Sequence, residues 1–384
     1  MIEIQNVNFR YSGGRDEAGL RNITLTVPDG EVLLVCGGSG CGKSTLTRLV
    51  NGLIPHFYDG ELSGKVTVNG VDIAEAPLYD TARIVGSVFQ NPRSQFFNVD
   101  TTSELAFSCE NMGMPEPEVR SRMEKAVGEL NLRTLLDRSI FELSGGEKQR
   151  IACGSVSTLS PAVMVLDEPT SNLDFPGIES LRKIIEMWKA QGRTVIVAEH
   201  RLHFLRGVAD RVIYMDSGEI REQFSGAEFF AKSAGFFEQR GLRVPELTRV
   251  FDREFPEHKP TGTFALRDLS CSYKSGVTAL DIPEAALPLG SVIAIASVLA
   301  SGREFIVFDE PTSGLDAGHM QQAAECILRL KEQGRNVMIV THDPEFIACC
   351  CDYAVRIECG RISEQYAIDR SGREKLREFF IGGA

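Results

Sequence analysis

The sequence lacks several features that would assign it to a class at once. It holds one tryptophan in 384 residues, and its 41 lysines and arginines are outnumbered by 53 acidic residues, which gives a formal net charge of -12. A chain so short of positive charge has no general attraction to phosphate backbones or anionic lipid, so we do not expect nucleic acid as a partner. Its longest nearly apolar stretch, residues 292–300, is far shorter than the ~20 residues that a membrane helix needs.

The start of the chain, MIEIQNVNF, lacks the basic segment and apolar core of a secretory signal. This predicts a cytoplasmic protein that associates with a membrane only through a partner. None of the ten cysteines forms a CxxC pair, and Cys349, Cys350 and Cys351 are consecutive. Consecutive side chains diverge around a helix, so the pattern favours structural thiols over a metal site.

An internal repeat divides the chain. VMVLDEPTSNLD (residues 163–174) returns as FIVFDEPTSGLD (305–316) with an offset of 142 residues. Nearer the start of each copy the offset is 260, because DGEVLLV (29–35) matches LGSVIAI (289–295). The second copy is therefore predicted to lack about 118 residues, the difference between these offsets. The missing part corresponds to the interval of the first copy that ends at Asp167.

These matches predict three regions: a complete first domain over residues 1–225, an extension and linker over 226–261, and a truncated second domain over 262–384. The linker combines short aromatic segments with Pro256 and Pro260. Because the truncated domain has lost the sequence that would cover its sheet, we expect it to expose apolar surface.

A glycine-rich loop in the first copy has the composition of a phosphate-binding site. It follows an apolar run of strand character and precedes the helical sequence LTRLVNGL. Glycines let successive backbone N–H groups turn inward around phosphate oxygens, a conformation that side chains obstruct. Lys43 would neutralise the β- and γ-phosphates of ATP, and Ser44 would ligate Mg²⁺. The predicted ATP-binding residues here are Gly37, Gly38, Ser39, Gly40, Cys41, Gly42, Lys43, Ser44 and Thr45.

A second apolar run, residues 163–166, is typical of a buried parallel strand and ends in two acids, Asp167 and Glu168. Adjacent carboxylates need cations nearby. Asp167 would hold Mg²⁺, and Glu168 would polarise the attacking water as a general base. An acidic turn at a strand end is the alternative, which the neighbouring phosphate loop disfavours.

LSGGEKQR (residues 143–150) begins a predicted helix whose free backbone N–H groups form an anion site. SGG alone is a common helix start. Followed by EKQR, and with Ser144 23 residues before Asp167, the segment resembles the signature of the ATP-binding-cassette (ABC) superfamily. This resemblance, over about the first 225 residues, implies ATPase activity. It also implies an α/β P-loop NTPase fold with an antiparallel β subdomain and a helical subdomain.

The resemblance assigns further roles. Tyr11 is similar to the aromatic residue that stacks on adenine, Gln90 to the glutamine that contacts Mg²⁺ and the water, and His200 to the switch histidine at the γ-phosphate. A core tyrosine and a structural histidine are the alternatives for Tyr11 and His200. Residues 171–174 resemble the loop that couples two ATP sites.

In this family ATP lies between the phosphate loop of one domain and the SGG helix of another. A second ATPase domain from another chain, in a homodimer or heterodimer, is therefore implied as a partner. The signature residues expected to act across that interface are Ser144, Gly145, Gly146 and Gln149.

A finer resemblance links residues 91–114 to the segment of energy-coupling-factor (ECF) transporter ATPases that grips the transmembrane subunit. It implies a transmembrane transporter subunit as partner, a location at the cytoplasmic face of the cell membrane, and uptake of a vitamin or transition metal. One alternative is a soluble ABC ATPase acting on the ribosome or DNA, although no long charged linker is visible. Another is a degenerate subunit that does not hydrolyse ATP.

Overall fold

The structure is a computed structural model that describes residues 1–12, 19–247, 262–272, 278–289, 305–358 and 361–381. The chain divides into two compact units, Met1–Pro245 and Glu246–Ala384. Most of the predicted linker, from residue 248, and the repeat match at residues 290–295 lie outside the described residues.

Two sheets organise the first unit. One is antiparallel, with the order β2-β1-β4-β5. The other has six strands in the order β10-β9-β3-β8-β7-β6, parallel except that β10 runs antiparallel to β9. The strands of the unit are β1 (Ile2–Tyr11), β2 (Gly19–Val27), β3 (Val32–Gly37), β4 (Gly60–Val68), β5 (Val71–Asp72), β6 (Val85–Val88), β7 (Val163–Asp167), β8 (Thr194–Ala198), β9 (Arg211–Asp216) and β10 (Glu219–Ser225).

Helices cover both faces of the six-stranded sheet, which explains why its central strands are apolar throughout. Every residue of β3 and β8 is buried. Along β7, Met164 packs into the core on one face and Val165 into the core on the other. The helices of the unit are α1 (Lys43–Val50), α2 (Leu53–His56), α3 (Leu78–Ile84), α4 (Thr101–Asn111), α5 (Glu116–Glu129), α6 (Gly145–Ser157), α7 (Phe175–Ala190), α8 (Gly226–Phe230) and α9 (Ala234–Gln239).

The predicted fold class, an α/β P-loop fold with an antiparallel β part and a helical part, is confirmed in the first unit. Helices α4, α5 and α6 form the helical part. The short helices α8 and α9 extend the core of the first unit. Phe229, Phe237 and Leu242 are buried in the same cluster as residues of the six-stranded sheet. Residues 226–245 therefore pack with the first unit.

The second unit repeats part of this plan. Strand β13 (Phe305–Asp309) pairs in parallel with β14 (Asn336–Val340). Two antiparallel pairs flank them in sequence, β11 (Gly262–Ser272) with β12 (Thr278–Leu289), and β15 (Tyr353–Glu358) with β16 (Arg361–Ala367). The described helices are α10 (Ala317–Glu332), α11 (Pro344–Cys350) and α12 (Arg370–Ile381).

One face of the pair β13–β14 is open where its counterpart in the first unit is closed. Val307 and Val340 are 50% and 53% exposed, whereas their counterparts Val165 and Ala198 are 2% and 0% exposed. In the first unit that face packs in one core with Leu46 and other residues of α1, the helix after the phosphate loop. Valine on an open sheet face costs hydrophobic stabilisation, so this sheet gains less from folding than β7–β8.

Candidate functional site

The phosphate loop joins the buried strand β3 to helix α1, and two of its glycines are sterically required. Gly42, at the helix N-cap, has φ of +107°, which L side chains rarely adopt. At Gly37 a Cβ atom would lie 2.3 Å from the carbonyl oxygen of Met215. Only glycine therefore lets the loop curl this tightly above the sheet, with the N–H groups that begin α1 facing the loop.

Lys43 lies inside this loop. Its Nζ donates hydrogen bonds of 3.0 Å to the carbonyl oxygens of both Gly37 and Gly38, and it lies 3.2 Å from Nε2 of His200. The side chain is buried. A buried ammonium at the start of a helix makes the loop a strongly positive site suited to phosphate.

The predicted magnesium ligands lie together at the end of β7. The Ser44 hydroxyl donates to Oδ1 of Asp167 at 3.0 Å. Burial raises the pKa of Asp167 to about 6, against the opposing effect of the Ser44 hydrogen bond. A buried carboxylate of this kind is stabilised by a bound cation, and Mg²⁺ prefers hydroxyl and carboxylate oxygens. The oxygen atoms present therefore fit a magnesium ion.

Glu168 is held between the two other predicted catalytic side chains. Its Oε2 accepts a hydrogen bond of 2.7 Å from Nε2 of Gln90, and its Oε1 lies 3.3 Å from Nε2 of His200. The backbone at Glu168 has φ of +44°, an unfavourable conformation for glutamate that its N–H bond to the Ala198 carbonyl (2.8 Å) helps to hold. Backbone strain of this kind is concentrated at functional sites, where it fixes a side chain's direction.

These contacts bring together one group of side chains from positions up to 157 residues apart in the sequence. The group consists of Lys43, Ser44, Gln90, Asp167, Glu168 and His200. The structure brings together every residue predicted to be catalytic or to hold Mg²⁺. Their functional roles stay predictions.

The Tyr11 side chain also reaches this group. Its hydroxyl donates to Oγ1 of Thr45 at 3.2 Å and accepts from the Arg48 guanidinium at 3.1 Å. Its ring meets those of Phe9 and Tyr58 edge to face, with centroids 4.8 and 6.0 Å apart. The tyrosine is therefore attached to the phosphate-loop helix, the position that a base-stacking residue would need.

The signature segment begins α6. Ser144 caps the helix, since its hydroxyl accepts from the Glu147 N–H while the Glu147 carboxylate accepts from the Ser144 N–H. Ser144 and Gly145 are exposed, as a contact to another chain requires. Gln149 differs, because its side chain is 2% exposed and its amide nitrogen has no hydrogen-bond partner among the described residues. A side chain this buried has no surface to offer a second chain, so we leave it out of the proposed contact.

The loop after Glu168 contacts both Gln90 and the signature helix. The Ser171 hydroxyl donates to the Gln90 carbonyl at 3.1 Å. At Gly145 a Cβ atom would lie 2.6 Å from the Asn172 carbonyl oxygen, so this loop packs directly on the start of α6. The arrangement links the residues around Glu168 to the surface that would face a partner.

Glu199 is a buried residue that sequence analysis missed. One carboxylate oxygen accepts from the N–H groups of His200 (2.7 Å) and Arg201 (3.0 Å), and the other from the N–H (3.2 Å) and hydroxyl (2.7 Å) of Thr170. Glu199 therefore fastens the histidine segment to the loop after Glu168. The repeat does not mark this residue, since the second copy keeps the histidine but has Thr341 in place of the glutamate.

We expect Glu199→Ala to lower the free energy of unfolding by about 2–4 kcal/mol, because it leaves four buried donors without their acceptor. ATPase activity should fall with it, since His200 loses its backbone anchor. Urea unfolding and steady-state ATPase assays would measure the two effects. Glu186→Ala, on the exposed side of α7, is the matched control. Unchanged stability in the Glu199 variant would contradict the anchoring role.

The second unit keeps the carboxylate and the histidine. Glu310, with φ of +45°, donates its N–H to the Val340 carbonyl at 2.9 Å, and its Oε1 lies 2.7 Å from Nδ1 of His342. Within the ranges that the structure describes, no phosphate loop accompanies them.

None of the helices described in either unit is long and apolar enough to cross a membrane.

Comparison with known proteins connects these features to one family. The sequence profile of a family described as ABC transporter matches residues 20–171. A protein of Treponema denticola described as an ABC transporter ATP-binding protein is 34% identical, over 98% of this chain and 99% of its own length. Among solved structures, cbiO1 from Clostridium perfringens, described as part of the ABC transporter complex cbiONQ, has a TM-score of 0.55 and 30% identity over 66% of this chain and 98% of its own. A dimeric ATP-binding cassette bound to ADP and Pi has a TM-score of 0.52 at 23% identity, over 59% of this chain and 98% of its own, and shows the same fold.

Proposed function

Because this chain belongs to the family of ABC transporter ATP-binding proteins, we propose that its first unit binds and hydrolyses ATP to power a membrane importer of the ECF type. The observation that carries the proposal is the group of side chains around Glu168, in which a carboxylate, an amide and an imidazole meet beside the phosphate loop. A vitamin or a transition metal is the proposed class of cargo.

The proposed chemistry follows from where these groups lie. Loop N–H groups and Lys43 hold the β- and γ-phosphates. Mg²⁺ would be held by Ser44 and Asp167, with Gln90 adjacent, and would neutralise phosphate charge. Glu168 takes a proton from the attacking water, whose position Gln90 fixes through its amide. His200, between Lys43 and Glu168, donates a hydrogen bond to a γ-phosphate oxygen and stabilises the negative charge on that group in the transition state.

A complete site needs a second chain. The described part of the second unit has neither a phosphate loop nor an SGG helix, so we propose that two first units from separate chains face each other. The alignment with the Treponema denticola protein runs over 486 positions against the 384 residues of this chain, so the relative has positions that this chain lacks, as the proposed deletion requires. At least 102 of those positions have no residue here.

Exposed aromatic side chains support docking to a transmembrane subunit. Phe97 and Phe141 are 75% and 78% exposed, near the start of α4 and before α6. The buried Glu104 carboxylate fixes the first of them by accepting from the N–H groups of Phe97 (3.0 Å) and Asn98 (2.9 Å). Large rings held out in water by a rigid segment are typical of an interaction surface. Docking there would bring the chain to the cytoplasmic face of the membrane through its partner.

Replacing Phe97 and Phe141 together by serine should abolish co-purification of the chain with membrane protein from detergent-solubilised membranes. The expected loss is at least about tenfold, because exposed aromatic anchors carry most of the energy of such contacts. Phe57→Ser is the matched control, since Phe57 is 71% exposed elsewhere on the first unit. Retention of the double variant on membranes, or salt-sensitive binding of wild-type protein to RNA or DNA, would contradict the transporter proposal.

A further inference from the structure

We propose that Arg48 is a positioning residue for the nucleotide base: it holds the Tyr11 ring beside the phosphate loop and so sets the affinity for ATP relative to that for the bare triphosphate. The inference rests on the proposed ATP-binding function and adds to it a residue that no motif identifies.

A chain of hydrogen bonds connects Arg48 to the phosphate loop by way of Tyr11. The guanidinium Nη1 donates to the Tyr11 hydroxyl at 3.1 Å, and that hydroxyl donates to Oγ1 of Thr45 at 3.2 Å. Thr45 and Arg48 both belong to α1, three residues apart and thus on one face of the helix. Tyr11 belongs to β1, a strand of the four-stranded antiparallel sheet. The two hydrogen bonds therefore fasten the end of β1 to the helix that starts the phosphate site.

Arg48 is itself held from its other side. Its guanidinium carbon lies 4.4 Å from the centroid of the Tyr58 ring, a cation–π distance. The Tyr58 ring meets Tyr11 edge to face. A planar guanidinium can stack on one ring while its edge donates to the hydroxyl of another, and a lysine ammonium cannot do both. This geometry makes the arginine side chain specific for orienting Tyr11.

The charge of Arg48 also acts on the metal side of the site. Burial raises the pKa of Asp167, and the Arg48 charge opposes that rise, less strongly than the Ser44 hydrogen bond does. An effect exerted through Asp167 would change the binding of any magnesium-bound triphosphate, whereas an effect exerted through Tyr11 would change only ligands that carry a base. The two routes therefore predict different results for ligands with and without adenosine.

The test compares Arg48→Met with wild type by isothermal titration calorimetry of the full chain with magnesium. The two ligands are the β,γ-imido analogue of ATP and inorganic tripolyphosphate. We expect the Kd of the ATP analogue to rise about tenfold, equivalent to about 1.4 kcal/mol, and that of tripolyphosphate to change by less than about twofold. Equal weakening of both ligands, or of neither, would overturn the proposal.

Three further variants separate orientation from charge and from general damage. Arg48→Lys keeps the charge and should weaken binding of the ATP analogue as Arg48→Met does. Wild-type affinity in the lysine variant would point to charge alone and overturn the role assigned to the planar guanidinium. Tyr11→Phe should make loss of Arg48 nearly without further effect, because both changes break the same connection. Arg122→Met is the control for general damage, because Arg122 is also partly buried but donates to the carbonyl oxygens of Thr158 and Leu159. It should leave both Kd values unchanged. If wild-type protein binds neither ligand, the proposed function fails and not this inference alone.

Discussion

Glu168→Gln should leave ATP binding intact and lower its turnover by at least about a thousandfold, at the upper part of the range for loss of a general base. Glutamine is nearly isosteric with glutamate and can still meet the Gln90 amide and the His200 imidazole. It cannot accept a proton from water. Because the backbone at this position is strained into one direction (φ +44°), the replacement should keep its place, so the defect is chemical. Single-turnover hydrolysis and equilibrium binding of ATP, measured on the same preparation, separate the two effects.

The chain supplies its own matched control for this prediction. Glu310 in the second unit has φ of +45°, and its carboxylate lies 2.7 Å from His342. Its N–H donates to the carbonyl of Val340, the position that corresponds to Ala198, to which the Glu168 N–H donates. Glu310→Gln should not change turnover, since the described part of that unit has no phosphate loop beside it. A large loss of activity in the Glu310 variant, or persistent hydrolysis in Glu168→Gln, would show that the base has been assigned to the wrong carboxylate.

The sequence alone predicted those parts of the site in which one local segment supplies a whole function. Glycines that must form a tight loop are visible as a spaced pattern, and Gly42 has the positive φ that this pattern predicts. Gly37 is required for a further reason, because a Cβ atom there would clash with the Met215 carbonyl oxygen of a neighbouring strand. An apolar run ending in two acids likewise placed Asp167 and Glu168 at the end of a buried strand. The fold class of the first unit followed from the same motifs, because each sits at a fixed place in one architecture.

Residues that act through distant partners could not be predicted in this way. Glu199 and Arg48 look like ordinary charged residues until folding brings Thr170 and Tyr11 to them. Gln149 shows the opposite case, since its motif predicted a contact residue whereas helix α6 buries its side chain within the first unit. Burial and cross-sheet contacts depend on how elements pack, which a local pattern does not encode.

Two inactive variants should restore activity when they are mixed. Lys43→Ala removes the ammonium that the phosphate loop encloses. Ser144→Asp keeps a good helix cap and places a negative charge where a partner's γ-phosphate would lie. Each homodimer then lacks both sites, but a mixed dimer pairs the intact Lys43 of one chain with the intact Ser144 of the other. With random pairing, half of the dimers are mixed and each holds one complete site, so up to about a quarter of wild-type activity should return.

This recovery depends on the two halves of a site coming from different chains, which makes it a direct measure of the proposed arrangement. Ser144 is exposed at the start of α6, so a partner can reach it without local unfolding. Wild-type specific activity should rise with protein concentration for the same reason, because dilution separates the chains and removes the sites. Activity that is independent of concentration, together with no recovery on mixing, would mean that one chain completes its own site.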